Sequence, residues 1–259
     1  MPDPITLGLL AVAGVGGVVA ARSTDGGGGD DTAEADQSGG SDGGSDGGAA
    51  PVTLSYSTEF WRPVVVRLCG DQPAEFHMAW IQVESNGNPA AVGSIHATGP
   101  DGYALEMGLY QLYNPDELKL AGVSSSDIRP DGAMYKTGSQ TLLRPLTSDE
   151  QEAQIRAGVA YIAKRRAKAD ADLSAFGATW SERDVWRLVK CYHALTGLPR
   201  AALAGYAATN GGPPANWDAF RAYAQSADLT PYGGANLAKY APYTKVLNNA
   251  EKVGGVVAE

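Results

Sequence analysis

The pattern of apolar and polar positions divides the chain into three stretches. From Ile5 to Ala21 there is no charge, and Leu9, Leu10, Val12, Val15, Val18 and Val19 alternate with Gly and Ala. Residues 23–50 have no apolar period at all. From Pro51 onward, apolar residues recur at helical spacing. Asp71 is placed to cap a helix carrying Phe76, Trp80, Ile81 and Val83. Asn114-Pro115-Asp116-Glu117 supplies a cap, a first-turn proline and acids at the positive helix end, with Gly122 as the stop. Thr147-Ser148-Asp149-Glu150 reads as a capping box that opens a long helix through Ile155, Val159, Tyr161 and Ile162. Ser181 starts another, through Val185, Trp186, Val189 and His193 to Gly197. Trp217, Phe220, Tyr223 and Ala224 mark a further amphipathic helix. Residues 86–105 read as loop or a short hairpin, and 124–146 as irregular. The expected fold is mainly α, with a helical domain over 51–259 that includes a C-terminal helical extension from about 198.

Composition sharpens the three-part division. Residues 23–50 hold ten glycines and seven acids (Asp25, Asp30, Asp31, Glu34, Asp36, Asp42, Asp46), no Lys or Arg, and two copies of Ser-Asp-Gly-Gly. Such a segment buries nothing to offset its ordering entropy and reads as a disordered linker. It also carries most of the acidity. Of the formal net charge of −9, seven charges lie there and Asp3 cancels Arg22, which leaves −2 for residues 51–259. The acidic overall balance excludes a generally basic nucleic-acid binder, which needs clustered Lys and Arg to displace counterions. Two cysteines, Cys69 and Cys191, exclude a disulfide-dense scaffold and a cysteine-rich zinc module.

The segment 1–22 has three readings: a secretory signal lacking its positive n-region, a membrane-inserting segment at the short edge of spanning length, or an oligomer-forming apolar tail. Gly14, Gly16 and Gly17 would allow close helix contact.

The chemistry-bearing stretch is Ala79-Trp80-Ile81-Gln82-Val83-Glu84-Ser85-Asn86-Gly87-Asn88-Pro89. A helix runs into a carboxylate and stops at once in four turn-favouring residues. In the last helical turn the macrodipole is negative, and apolar neighbours such as Trp80 add desolvation. Both oppose ionisation, so the Glu84 carboxyl is expected to be raised, as a general acid requires. The plain alternative is an exposed glutamate near a helix end. His77 and His96 form no metal-ligand spacing with either cysteine, and His-Glu-x-x-His does not occur, so neither metal nor cofactor is expected. Cys191 and His193, two apart on a helix, point to different faces and do not suggest a cysteine nucleophile. Cys69 and Cys191 could pair or stay as buried thiols.

Four motifs in order resemble the lytic transglycosylase family of the lysozyme-like superfamily. They are Glu84-Ser85 with Asn88-Pro89; Gly108-Leu109-Tyr110-Gln111; Gly158-Val159-Ala160-Tyr161-Ile162; and Cys191-Tyr192-His193-Ala194, in the place of the family's Ala-Tyr-Asn-Ala. The resemblance covers about residues 71–197. It implies a cleft for the glycan strands of peptidoglycan, with Glu84 as acid/base, Gln111 lining the saccharide cleft, and the Tyr192 hydroxyl approaching the catalytic carboxyl. Met107 and Glu106 would flank substrate. Ser94 stands one residue beyond a serine often seen in the family. Tyr110 stands where the family has Met, and His193 where it has Asn.

The implied reaction uses one carboxyl. Glu84 protonates the glycosidic oxygen and then takes a proton from the sugar's C6 hydroxyl, leaving a 1,6-anhydromuramoyl end. Asp101 and Glu106 are the candidate second carboxylates for a hydrolytic, lysozyme-type alternative; a non-catalytic wall-binding or virion protein is the other. The layout suits a phage virion protein that opens the wall during genome delivery, or an enzyme of the cell envelope. Arg22 after the apolar segment would leave the domain cytoplasmic under the positive-inside rule, which delivery from outside escapes. Partners expected are glycan strands, and membrane or virion components through 1–22.

Overall fold

The computed structural model describes residues 52, 54–89, 91, 108–112, 119, 122–124, 146–194, 197–234 and 241–258, with backbone alone at 56, 194 and 241–243. All of them lie in one compact unit, Asp46–Glu259. Among them the protein is helical and contains no strand. The helices are α1 (Tyr56–Glu59), α2 (Arg62–Leu68), α3 (Ala74–Ser85), α4 (Ser148–Phe176), α5 (Glu182–Ala194), α6 (Leu198–Asn210), α7 (Trp217–Ser226) and α8 (Ala241–Gly254), with a 3₁₀ turn at Thr230–Tyr232.

The expected capping box opens α4. The Thr147 side chain accepts from the Glu150 amide, and the Glu150 carboxylate accepts from the Thr147 amide. Asn216 caps α7 by accepting from the Ala219 amide. The start of α3 differs from expectation. Asp71 lies in the preceding turn, and Pro73, with φ −64°, leads into the helix without a side-chain cap. Proline presets the backbone for a helix start, and α3 relies on that rather than on a carboxylate. Gly197 does not close α5, which ends at Ala194; it leads into α6, whose first turn contains Pro199.

Helix α5 is the axis of the fold, packed between α4 and α8. Val185, Trp186, Leu188, Val189, Cys191 and Tyr192 are all buried, so α5 is covered on most of its circumference. Trp186, Trp217 and Phe220 are core residues, as their spacing suggested. Each such side chain contributes about 1.5–3 kcal/mol on burial. The polar side of α5 is also tied in. Arg187 pairs with Asp184 at 2.8 Å and with Glu251 of α8 at 2.7 Å, and the Trp217 indole donates to Glu251. Cys69 and Cys191 are both free and buried, so the two thiols remain unpaired. Burial pushes both thiols up.

The N-terminal helices are fitted to the end of α3. Asn86 and Gly87 adopt left-handed backbone, φ 50° and 76°. A Cβ on Gly87 would stand 2.5 Å from the Ser57 and Thr58 backbone. The Trp61 indole donates to the Gly87 carbonyl at 2.8 Å, and the Ser57 hydroxyl to the Asn86 carbonyl at 2.8 Å. The residues that stop α3 therefore also seat α1 and α2 against it, and this fixes where the last turn of α3 points.

Candidate functional site

Glu84 is the next-to-last residue of α3. Its side chain retains 20% exposure. Ser85 beside it faces inward, and its hydroxyl lies 2.9 Å from both the Ile81 and the Leu109 carbonyls. The Trp80 indole donates to the Tyr110 carbonyl at 3.3 Å. From the other side, Gln154 of α4 accepts from the Leu109 amide at 3.0 Å and donates to the Pro89 carbonyl at 3.1 Å. The Gly108–Leu112 turn is thus clamped between α3 and α4. Gly158 completes the clamp: a Cβ there would stand 2.3 Å from the nearest Tyr110 ring atom, too close for any side chain. The Tyr110 hydroxyl reaches His77 Nδ1 at 3.1 Å, and both residues are buried. Burial alone depresses His77 to about 3, so it is neutral.

The carboxylate of Glu84 is an ion-pair partner. Lys190 Nζ of α5 donates to Glu84 Oε1, and His193 Nε2 lies 4.0 Å from the same oxygen. Lys190 is only 3% exposed, and its ammonium lies 3.8 Å from the centre of the Trp80 ring. His193 packs on the same indole, with centroids 4.8 Å apart. Behind it, His193 Nδ1 faces the Tyr161 hydroxyl at 3.4 Å, which accepts from Arg165 at 2.8 Å. Arg165 can only donate, so the Tyr161 oxygen is the acceptor in that bond.

This environment reverses the expected direction for Glu84. Burial is the strongest single influence and does work to raise the carboxyl. The Lys190 ammonium outweighs it, joined by His193 where that ring is charged and, more weakly, by Lys245 of α8, and holds Glu84 below the usual carboxylate range. His193 is depressed to about 3, mainly by burial, so at neutral pH the ammonium beside Glu84 is that of Lys190. Lys190 is itself lowered, because desolvation exceeds the support it receives from Glu84. The expectation failed because it counted the helix end and the apolar neighbours but no cation from a residue 106 positions away in sequence.

The other expected site residues separate. Gln111 is buried in the clamped turn at φ 51°; its amide donates to the Ala91 and Gly108 carbonyls at 3.0 and 2.8 Å. Its Oε1 is buried and has no partner among the described residues. Tyr192 does not approach Glu84. One residue off the Lys190 and His193 face, its hydroxyl donates to Asp172 of α4, which also takes Lys168 at 2.9 Å and Arg200 of α6 at 2.7 Å. That cluster ties α4, α5 and α6 together and keeps Asp172 ionised against its burial. Ser94, Glu106 and Met107, with Asp101 and His96, lie outside the described residues. Among the described residues, no group of three or more His, Cys, Asp or Glu side chains could hold a metal ion. No helix among them is long and apolar enough to cross a membrane.

Lys190 was not anticipated, although Lys190-x-x-His193 places a cation and an imidazole on one helix face. No protein-family model and no curated protein matches the chain.

Proposed function

We propose that this chain is a lysozyme-like glycan-strand lyase that cleaves peptidoglycan with Glu84 as its single acid/base. The observation that carries the reading is how Glu84 is held. It lies near the end of α3 beside a turn that Ser85, Trp80 and Gln154 lock in place, and among the described residues only one of its oxygens has a partner. The described partners of Glu84, Lys190 and His193, both address Oε1, while the side chain remains partly open to solvent. A carboxylate held through one oxygen and still partly exposed is suited to moving a proton to and from a bound sugar. An ionised Glu84 suits the second half of the reaction, removal of the C6 hydroxyl proton. The first half needs that proton supplied. The apolar segment and acidic Gly-rich linker before the domain fit delivery by a phage particle or retention in the cell envelope.

The Lys190 ion pair also favours a second reading, a wall-binding protein that keeps the scaffold but has turned its glutamate into a structural ion-pair partner. One experiment separates the two. Full-length protein is incubated with purified sacculi and the products are weighed by mass spectrometry, with Glu84→Gln assayed at a temperature where circular dichroism shows it folded. Muropeptides one water lighter than reducing ends, absent with Glu84→Gln, are expected. Binding to sacculi without any cleaved product refutes the catalytic reading.

A further inference from the structure

We infer that Lys190 is the proton reservoir of the site: it holds Glu84 ionised in the free protein and hands it the proton it needs when a glycan strand closes over the pair. The inference rests on the glycan-cleaving reading and adds a residue and a step to it.

The geometry limits what else Lys190 can be doing. Its ammonium is enclosed, with the face of Trp80 on one side and Glu84 Oε1 on the other. A cation buried only to brace the fold is expected to have its donors taken up by fixed acceptors. Among the described residues its acceptor is a carboxylate that remains partly exposed and sits at the end of a helix. Among the described residues, the groups facing the pair supply no competing acid. His193 on α5 is neutral at working pH, and Lys245 on α8 adds positive potential. Tyr161 and Arg165 on α4 lie behind His193, and the Cys191 thiol next to Lys190 is held protonated by burial.

The transfer follows from desolvation. An ion pair in a partly wet site is favoured over the neutral acid and amine; exclusion of water by a neutral sugar weakens the charged form of both partners. The Nζ proton then passes to Oε1 along the existing hydrogen bond, giving a neutral amine and a neutral carboxylic acid. A half-turn of the neutral carboxyl about its Cγ–Cδ bond brings that proton to the side open to solvent, and the acid gives it to the glycosidic oxygen as the bond to C1 breaks. The resulting carboxylate accepts the C6 hydroxyl proton as that oxygen bonds to C1. Glu84 is again protonated, and once product leaves and water returns the proton goes back to Lys190. One proton is lent and returned per turnover, with no oxidant, metal or second carboxylate involved.

Two substitutions discriminate this from a bracing role. Lys190→Arg keeps the positive charge, but a guanidinium does not give up its proton. Lys190→Met removes the charge and leaves Glu84 desolvated without a cation, so the carboxyl carries its own proton at higher pH. Cleavage of solubilised glycan strands by the full chain is measured from pH 4 to 9. Lys190→Arg is expected to lose at least about 100-fold in kcat at pH 7, the scale of general acid catalysis, and to recover towards pH 4. Lys190→Met is expected to cleave at pH 5, with its alkaline limb displaced to lower pH by at least about one unit. A bracing role predicts the opposite order, with Arg replacing Lys better than Met at every pH, and that order overturns the inference. Should Lys190→Arg fail to fold by circular dichroism, the Lys190→Met profile decides: an unmoved alkaline limb overturns the inference. Absence of cleavage by the wild type would instead remove the glycan-cleaving reading, and the inference with it.

Discussion

Removing the Glu84 carboxylate should damage the fold as well as any reaction, and the size of that damage can be worked out. Glu84→Gln leaves the Lys190 ammonium 3% exposed with no counter-charge among the described residues. Breaking a buried ion pair from one side costs about 3–5 kcal/mol. A lysine can escape part of this by losing its proton. From an unfolded pKa of about 10.4, at 1.36 kcal/mol per unit, complete neutralisation at pH 7 sets a ceiling of about 4.6 kcal/mol. The glutamine carbonyl still accepts one hydrogen bond, so the expected loss is about 2–4 kcal/mol.

The pH dependence follows from the sign of the linkage. In Glu84→Gln the folded pKa of Lys190 lies below its unfolded value, so the unfolded chain binds more protons. The deficit is full below the folded pKa and disappears as pH rises to about 10.4. In Lys190→Met the lone carboxyl is raised by burial. Its deficit is absent well below about pH 4.3 and grows as pH rises through the folded pKa. The double variant Glu84→Gln/Lys190→Met buries no unpaired charge, and should be at least as stable as the better single variant. Urea denaturation of all four proteins at pH 5, 7 and 9 measures the cycle. Additive losses, or a Glu84→Gln deficit that does not shrink from pH 7 to 9, would falsify a buried ammonium that depends on Glu84.

Three further outcomes are expected. Gly158→Ala should lower stability by about 1–3 kcal/mol although alanine favours helix, because its Cβ enters the space of the Tyr110 ring; thermal melts decide this. Tyr192→Phe should cost about 1–3 kcal/mol through the lost Asp172 bond while leaving glycan cleavage at the wild-type level, so a selective fall in kcat would place Tyr192 back at Glu84. His77 and His193, both near 3 in the folded state, bind their protons only on unfolding at mild acidity. Stability should therefore fall as pH drops from about 6.5 towards 3, by up to about 1.4 kcal/mol per unit and per histidine, and His77→Phe should flatten that slope.

What could be read from the chain was local. The capping box at Thr147–Glu150, the Asn216 end of α7 and the break after Ser85 are decided by neighbours within four residues, and each forms as the residue types require. The core aromatics were legible for the same reason, since helical spacing alone assigns Trp186 and Phe220 to buried faces. Asp71 misled because a nearby proline offered a competing way to start α3. The motifs at Gly108–Gln111 and Gly158–Tyr161 were visible as strings, but their relation was not. That Gly158 is small because the Tyr110 ring occupies its face is a contact across 48 positions, set by how α4 crosses the end of α3.

The candidate site depends still more on such contacts. Glu84 was found from its own surroundings, and those surroundings gave the wrong sign for its ionisation because the deciding charge comes from α5. Reading one helix at a time, Tyr192 was the obvious partner, since it occupies the motif position. Three-dimensional register assigns the task differently: on α5, residues 190 and 193 share the face turned to Glu84, while 192 turns to Asp172. A lysine in an apolar helix face opposite a helix-terminal glutamate is the pattern that could have been sought, because neither charge can be buried alone. The same rule gives the site its chemical character. Two groups that must be buried together share one proton between them, and whatever excludes the remaining water decides which of the two holds it.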